Sequence, residues 1–413
     1  MCMPNHDDRY MRDFARCVVA VAMALAFVVF GVGSASAARP PNACQGQWTV
    51  PSPFKIEQGF KYYITFYLTQ RGTTITGKAG YQIGRKVTVG NVSGSIKGNH
   101  FFARVSWTYS GGRGVGIYSG DIEPAGWIFQ GTTYDAAAKN GVVENFNSSR
   151  STFFYCSPLP GYPEVVRTAV RDFLYQDEFD RFTKGGYRPV WMDGFRTGDG
   201  RNWFNVVFRP DDGKTAWVAR HNLTGVQYQA EFDKWTRAGY RPLQIESYPA
   251  SDGIRFAGIF VNSAGPPFLA YHARSESDHQ ARFNQLTAEG WVPVNISVTS
   301  WGGARYYTAL YEKKDVGSFA AWQVLDTSQY QIAINEQAAA GRKLVYLNAY
   351  NDPAPRFTAI WYSNAAVPYA RHGIDPLGYF ALADAQRANG LLTRAVTGYT
   401  VGTSPRYAAF WSK

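Results

Sequence analysis

The chain has 413 residues, 45% of them hydrophobic and 16% aromatic, and a formal net charge of +11. This length is enough for two or three domains with sizeable cores. The positive charge favours anionic polymers or surfaces as partners, with simple solubility as the alternative. The chain has no long run of lysine or arginine, which argues against a nucleic-acid partner.

Residues 1–37 have the pattern of an export signal. Arg9, Arg12 and Arg16 precede the apolar run Cys17–Val32, and Ala35–Ala37 supplies a small-residue cleavage site. A membrane anchor is the alternative, but the run is shorter than the ~20 apolar residues that a span needs. We expect cleavage at that site, no membrane span in the rest of the chain, and a secreted or periplasmic protein.

Removal of the signal takes away two of the four cysteines and leaves Cys44 and Cys156. In an exported chain, two cysteines most simply form one disulfide, and two free thiols are the alternative. The bond would close an N-terminal domain of residues 41–157.

Short alternating runs, separated by glycine and polar turns, fill this N-terminal domain. They predict an antiparallel β-barrel or sandwich. The runs are Tyr62–Thr69, Thr74–Lys78, Val92–Ile96, Phe101–Trp107, Gly116–Gly120 and Trp127–Thr132. Their phrases loosely resemble avidin- or lipocalin-like small barrels, a resemblance that implies an interior pocket at most. The interior is otherwise filled by the barrel's own side chains.

A proline-rich segment, residues 157–163, predicts a stiff linker to a second domain. From residue 164 to 413 a block recurs about every 51 residues, and each copy has a glycine that ends a helix-like stretch. These glycines are Gly186, Gly239, Gly290, Gly341 and Gly390. The predicted fold class is therefore α+β: the barrel, then five β-β-β-α repeats closed into a pseudo-symmetric ring.

Each predicted unit has one amphipathic helix, followed by three strands. The helices should begin at Thr224, Ser277, Thr327 and Asp375-Pro376. In the third unit, the second strand has one extra residue after Arg305, which predicts a bulge. The last unit lacks a third strand, so we expect Val165–Thr168 to pair with Tyr407–Trp411 and close the ring.

The third strand of each unit carries an aligned imidazole or amide. These residues are His221, His272, Gln323 and His372. One hypothesis is that they converge near the ring axis as a zinc site or a polar binding surface. The alternative is structural: each side chain hydrogen-bonds the start of its own following helix, which a glutamine does equally well. Gln323 favours the structural role, so the sequence predicts neither a metal nor a cofactor.

The repeat phrases, Gly-Tyr-Arg-Pro at residues 239–242 and Arg-Tyr-Ala-Ala-Phe-Trp at residues 406–411, resemble the bacterial tandem repeat domain. Such repeats precede the hydrolase domain of polyglycine hydrolases, so the resemblance implies an α/β repeat fold over residues 163–413 and no activity of its own. Complete catalytic motifs are absent from the sequence. We expect an exported non-enzymatic protein that binds an anionic polymer, glycan or peptide. The alternative is a secreted hydrolase of cell-envelope or host polymers, with its site at His221, His272 and His372.

Overall fold

The computed structural model describes residues 44–59, 62–109, 112–136, 143–149, 152–159 and 161–413. The predicted signal peptide, residues 1–37, lies outside them. Pro41–Lys413 forms one compact unit. Within the described ranges, none of the helices is both long enough and apolar enough to cross a membrane.

The N-terminal domain is a closed antiparallel barrel, which decides between the two predicted β architectures. Strands β2 to β9 form the barrel, and β9 returns to pair with β2. Strands β1 and β10 make a separate two-stranded ribbon. The ten strands are β1 (Gly46–Thr49), β2 (Phe54–Gln58), β3 (Tyr62–Arg71), β4 (Thr74–Ile83), β5 (Lys86–Lys97), β6 (His100–Tyr109), β7 (Gly112–Asp121), β8 (Gly131–Asp135), β9 (Val143–Ser148) and β10 (Tyr155–Pro158).

The strand predicted at Trp127–Thr132 was misplaced, because β8 begins only at Gly131. Gln130 has a left-handed backbone with φ of 54°, and Gly126 has a φ of 79°. Extended pairing cannot run through either residue. The segment before β8 is therefore a connection and not a strand.

Aromatic rings from alternate strand positions fill the barrel. Phe54 packs edge-on against Phe101 at 5.4 Å, and Phe66 packs edge-on against Tyr118 at 5.4 Å. Gly116 makes room for this core, since a Cβ there would lie 2.7 Å from the indole nitrogen of Trp107. This packing favours the filled barrel over the ligand-holding one.

The predicted disulfide is confirmed: Cys44 and Cys156 are bonded, with an S–S distance of 2.07 Å. The ribbon that carries it also joins the barrel to the repeats. Arg167, on the first repeat strand, lies over the Trp48 ring and forms a buried ion pair with Glu178 at 2.8 Å. It also donates a hydrogen bond to the Pro124 carbonyl of the barrel. The two folded parts therefore share a buried contact.

Five similar units follow, each with an outer strand, a helix, an inner strand and a middle strand in chain order. The middle strand lies between the other two in every sheet. Unit one is β11 (Val165–Arg171), α1 (Asp172–Lys184), β12 (Tyr187–Arg196) and β13 (Asn202–Pro210). Unit two is β14 (Trp217–Leu223), α2 (Gly225–Arg237), β15 (Arg241–Ala250) and β16 (Gly253–Val261).

The other three units repeat this order. Unit three is β17 (Phe268–Ser275), α3 (Glu276–Ala288), β18 (Val292–Trp301) and β19 (Ala304–Glu312). Unit four is β20 (Phe319–Leu325), α4 (Thr327–Ala339), β21 (Lys343–Asp352) and β22 (Ala354–Tyr362). Unit five is β23 (Tyr369–Ile374), α5 (Pro376–Ala388), β24 (Leu392–Val401) and β25 (Ser404–Ser412).

The strand order corrects the predicted pairing. Each strand taken as the third of one unit is the outer strand of the next sheet, as β14 shows by pairing with β16. The predicted pairing of Val165–Thr168 with Tyr407–Trp411 is wrong. Val165 lies opposite Phe208 in its own sheet, and β25 already has β23 and β24 on its two sides. All five sheets are therefore complete.

Two local predictions also change. Thr224 caps α2, α4 begins at Thr327 and Pro376 opens α5, as expected. The start of α3 is different, because its cap is Ser275, two residues before the predicted Ser277. The predicted bulge after Arg305 is wrong: the register shift between β18 and β19 falls on β18, between Pro293 and Asn295, as it does on the inner strands of the other units. The arginine simply stands one position earlier than in the neighbouring units.

Side-chain hydrogen bonds close the ring between the first and last units. The inner strand β24 packs against β12 as the other inner strands pack against their neighbours. Asp193 accepts a hydrogen bond from the Thr397 hydroxyl at 2.6 Å and another from the Gly398 amide at 2.9 Å. The indole of Trp191 donates to the Val396 carbonyl at 2.9 Å. Ring closure, predicted with the wrong strands, is thus made between inner strands.

We predict that Thr397→Val destabilises the protein, because the substitution removes a buried donor to Asp193 and an acceptor for the Ala349 amide. Urea unfolding should show a loss of about 1–3 kcal/mol. Thr358→Val is the matched control, since the buried Thr358 hydroxyl has no hydrogen-bond partner. Equal losses in the two variants would contradict the role of Thr397 in closure.

Candidate functional site

The aligned histidines lie in the contacts between consecutive units. Each imidazole packs on a tyrosine of the preceding helix and on an aromatic ring of the preceding middle strand. His221 lies 4.4 Å from Tyr175 and 5.9 Å from Phe204, as ring centroids. His272 and His372 repeat the arrangement in units two and four. The three imidazoles therefore belong to three separate contacts.

The third unit exchanges the two side chains. There the helix carries His279 in place of tyrosine. Its ring is stacked 4.2 Å from the Tyr307 ring, its Nδ1 lies 2.8 Å from the Tyr271 hydroxyl, and Gln323 of the next outer strand lines the same pocket. The contact after the third unit therefore still contains an imidazole, but it comes from the helix and not from the outer strand. This exchange explains Gln323 without a ligand and supports the structural alternative.

The predicted partner of these imidazoles needs correction. His272 lies against Gly225, where an added Cβ would be 3.6 Å from its Nε2, and His372 Nε2 lies 3.2 Å from the side-chain oxygen Oε1 of Gln331. Gly225 and Gln331 belong to the preceding helix, not to the one that follows. The imidazoles therefore join one unit to the next. The sequence could not show this, because it does not reveal to which sheet each outer strand belongs.

A left-handed residue follows each aligned position. Four of these residues are not glycine, and left-handed φ is uncommon outside glycine. They are Ala169, Asn222, Ala273, Val324 and Gly373, with φ between 53° and 71°. Each marks the register shift where the outer strand leaves its partner. This backbone fixes the aligned side chain against the preceding unit.

Burial keeps these imidazoles neutral. It lowers the pKa of His221 to about 4, and it lowers the pKa of His279 to about 4 against a smaller opposing effect of Gln323. No group of three or more His, Cys, Asp or Glu side chains in the described ranges is arranged to hold a metal.

The ring axis holds a second aligned set, which sequence reasoning missed. One polar residue of each inner strand lies seven positions after the repeat glycine, and all five are buried. They are Asp193, Glu246, Ser297, Asn348 and Thr397. A polar residue at a fixed offset within an apolar strand was the signal that could have revealed them.

Four of these five axial side chains link neighbouring units in the same way. Each accepts a hydrogen bond from the backbone amide that follows the axial residue of the preceding unit. The donor–acceptor pairs are Ser247 to Ser297, Val298 to Asn348, Ala349 to Thr397 and Gly398 to Asp193, at 2.9–3.0 Å. The polar axis thus joins the sheets, between which no backbone ladder runs.

A small cavity of about 40 Å³ lies beside this axis, with lining residues from all five inner strands. Glu246, Ser247, Ser300 and Asn348 give it polar walls, and Arg196 also lines it. This volume holds a few water molecules or an ion, but not a polymer segment.

An exposed surface on the barrel forms the third candidate site. Tyr63 and Tyr67 point outward from β3, with exposed fractions of 68% and 60%. Lys78 lies opposite Tyr67 in the next strand, and Gly80 lies between Thr65 and Val89 in the same sheet. We call Tyr63, Tyr67, Lys78, Gly80 and Val89 the tyrosine face.

The charge of the barrel domain is strongly positive. Residues 41–160 contain eleven lysines and arginines against five aspartates and glutamates. Arg71 and Lys78 on β3 and β4 are exposed, as is Arg104 on β6. An anionic partner is therefore attracted to the barrel domain as a whole.

The fold and these sites define a barrel joined to a closed ring of five three-stranded units. A family model for the polyglycine hydrolase-like structural repeat matches residues 174–210, 214–263, 265–314, 317–364 and 367–413. The matched segments cover more than half of the chain and correspond to the five units. The chain belongs to this family, which confirms the resemblance of its repeat phrases.

We predict that His221→Gln flattens the pH dependence of stability. Because the folded pKa of His221 lies below its unfolded value, its contribution is complete above about pH 6.5 and is lost as the pH falls toward 4. Urea unfolding at pH 7.5 and pH 4.5 should show wild type losing on the order of 1–2 kcal/mol more than the variant. Parallel pH profiles would show that His221 is not buried in neutral form.

Proposed function

We propose that this chain is an exported, non-enzymatic binding protein that holds an acidic polysaccharide on the tyrosine face of its barrel. The observation that carries the proposal is the pair Tyr63 and Tyr67, two large residues that are more than half exposed on one strand. Export is supported by the signal pattern in residues 1–37 and by the Cys44–Cys156 disulfide, which is typical of oxidising compartments.

The geometry of the tyrosine face suits a carbohydrate chain. Tyr63 and Tyr67 are four residues apart on one strand, which places the rings about 14 Å apart along it. Sugar rings stack on such exposed aromatic faces, and Gly80 leaves a shallow floor between the two tyrosines. A grouped apolar surface bordered by polar residues is typical of a binding site.

Lys78 beside Tyr67 favours a charged glycan over a neutral one, although Glu57 lies opposite Tyr63 on β2. The Lys78 ammonium donates to the Asn91 side-chain oxygen at 2.6 Å, which holds it beside Tyr67. Carboxylate groups of a uronic-acid polymer would pair with Lys78, and Arg71 and Arg104 extend the positive surface. A peptide or a second copy of the chain would use the rings without needing this charge.

The hydrolase alternative is less well supported. His221, His272 and His372 each pack on their own aromatic pair, so a hydrolase would have to work with single imidazoles in separate contacts. The axial cavity, of about 40 Å³, is too small for a polymer substrate. Family membership adds no activity, because the matched model describes a structural repeat.

We predict that Tyr63→Ala/Tyr67→Ala lowers the affinity for polygalacturonate at least tenfold, because the substitutions remove both stacking rings. Affinity electrophoresis in gels with and without the polymer measures this, with neutral dextran as the comparison ligand. Wild-type binding should weaken between 50 and 500 mM salt, as screening predicts.

Tyr134→Ala is the matched control, because Tyr134 is 45% exposed on β8, away from β3 to β5. It should bind like wild type. Equal affinity of wild type and the double variant for polygalacturonate would refute the tyrosine face as the site. Binding to dextran with the same affinity would refute the acidic ligand.

A further inference from the structure

Glu246 breaks the hydrogen-bond pattern of the ring axis. The other four axial side chains each accept from the amide of a neighbouring unit, and the equivalent donor for Glu246 would be the Gly194 amide. The Ser297 hydroxyl lies near the carboxyl, but it donates to the Ser247 carbonyl, and neither carboxylate oxygen of Glu246 has a hydrogen bond of normal geometry. Glu246 is only 1% exposed, so bulk water does not solvate its carboxyl group. A buried carboxylate without a partner is costly, which points to a ligand.

The surroundings of Glu246 supply oxygen ligands. Glu246 lines the axial cavity together with Ser247 and Asn348. The Ser247 hydroxyl is already held by the hydroxyls of Ser297 and Thr299, at 3.1 and 2.9 Å, so its position is fixed. The side-chain oxygen Oδ1 of Asn348 accepts one hydrogen bond, from the Val298 amide, and keeps a second lone pair.

No arginine or lysine is paired with Glu246 among the described residues. Burial, and to a smaller extent Asp193, raises the pKa of the Glu246 carboxyl well above its usual value, and both side chains are buried. Arg196 lines the same cavity but directs its guanidinium to the Ala250 carbonyl, at 2.6 Å. Glu246 therefore has no paired cation within the described ranges, and a bound positive ion would favour its ionised form.

We propose that Glu246, Ser247 and Asn348 bind one Ca²⁺ ion in the axial cavity. Carboxylate, hydroxyl and amide oxygens are ligands of hard cations, and Ca²⁺ accepts irregular sets of them completed by water. The cavity of about 40 Å³ has room for an ion with one or two waters. Asp193 already accepts hydrogen bonds from Asn205, Thr397 and Gly398, so it is not one of the ligands.

The test is thermal unfolding of the full exported chain after removal of metals with a chelating resin. Addition of 1 mM CaCl2 should raise the wild-type Tm by about 5 °C, as expected for saturated binding to the folded state alone. The same concentration of MgCl2, and NaCl or KCl at matched ionic strength, should raise it by much less. Glu246→Gln should abolish the response to CaCl2.

Glu276→Gln is the matched control, because Glu276 is a surface residue paired with Arg305. It should respond to CaCl2 like wild type. Equilibrium dialysis of wild type against CaCl2 gives a second readout, which does not need a folded variant, and one ion per chain is expected. Absence of a bound ion in dialysis, or a Tm that responds to Na⁺ or K⁺ but not to Ca²⁺, would overturn the proposal. So would an undiminished response of Glu246→Gln.

Discussion

The repeat domain depends on hydrogen bonds between side chains and backbone amides around its axis. The five sheets are separate, with no strand ladder from one to the next, so the inner strands must be joined by other means. The axial side chains Ser297, Asn348, Thr397 and Asp193 provide four of the joints. Because these groups are buried, losing one leaves an unsatisfied amide in the core. The polar axis is therefore what makes five small units one domain.

A second set of contacts secures the same units from outside. Four of the five outer strands present an aligned side chain to the preceding unit: His221, His272, Gln323 and His372. The left-handed residue that follows holds that side chain in place, even where it is Val324, whose branched side chain makes a φ of 61° unfavourable. Inner and outer contacts act at opposite edges of each sheet. Together they fix the angle between units, and thus the closure after five.

The sequence predicted the parts of the fold that depend on local chemistry. Glycines such as Gly239 and Gly290 end helices because only the left-handed backbone suits that position, and their spacing gave five units. Cysteine count gave the disulfide. The strand partners were not predictable in this way. The alternating hydrophobic pattern of an outer strand is compatible with pairing in the sheet before it or in the sheet after it along the chain. The sequence therefore indicated a ring but joined it through Val165–Thr168, where the structure uses Asp193.

The candidate sites also differ in how much of each could be predicted from the sequence. The aligned histidines were found by their offset, but their aromatic surroundings come from a neighbouring unit and could be read only in the structure. The axial set has an equally regular offset and was missed, because Asp, Glu, Ser, Asn and Thr share polarity and not a residue type. Tyr63 and Tyr67 were part of a strand by pattern, and only closure of the barrel showed that they face solvent.

Hydrogen exchange of a chain that ends at residue 403 tests ring closure most directly. This truncation removes β25, the middle strand of the fifth sheet, and so releases the contact of β24 with β12. If closure holds the units together, amides of β13 and β16 in the first two units should lose protection along with those of the fifth. Loss confined to residues 369–403, with the first two units protected as in the full chain, would show that the repeats are an open array.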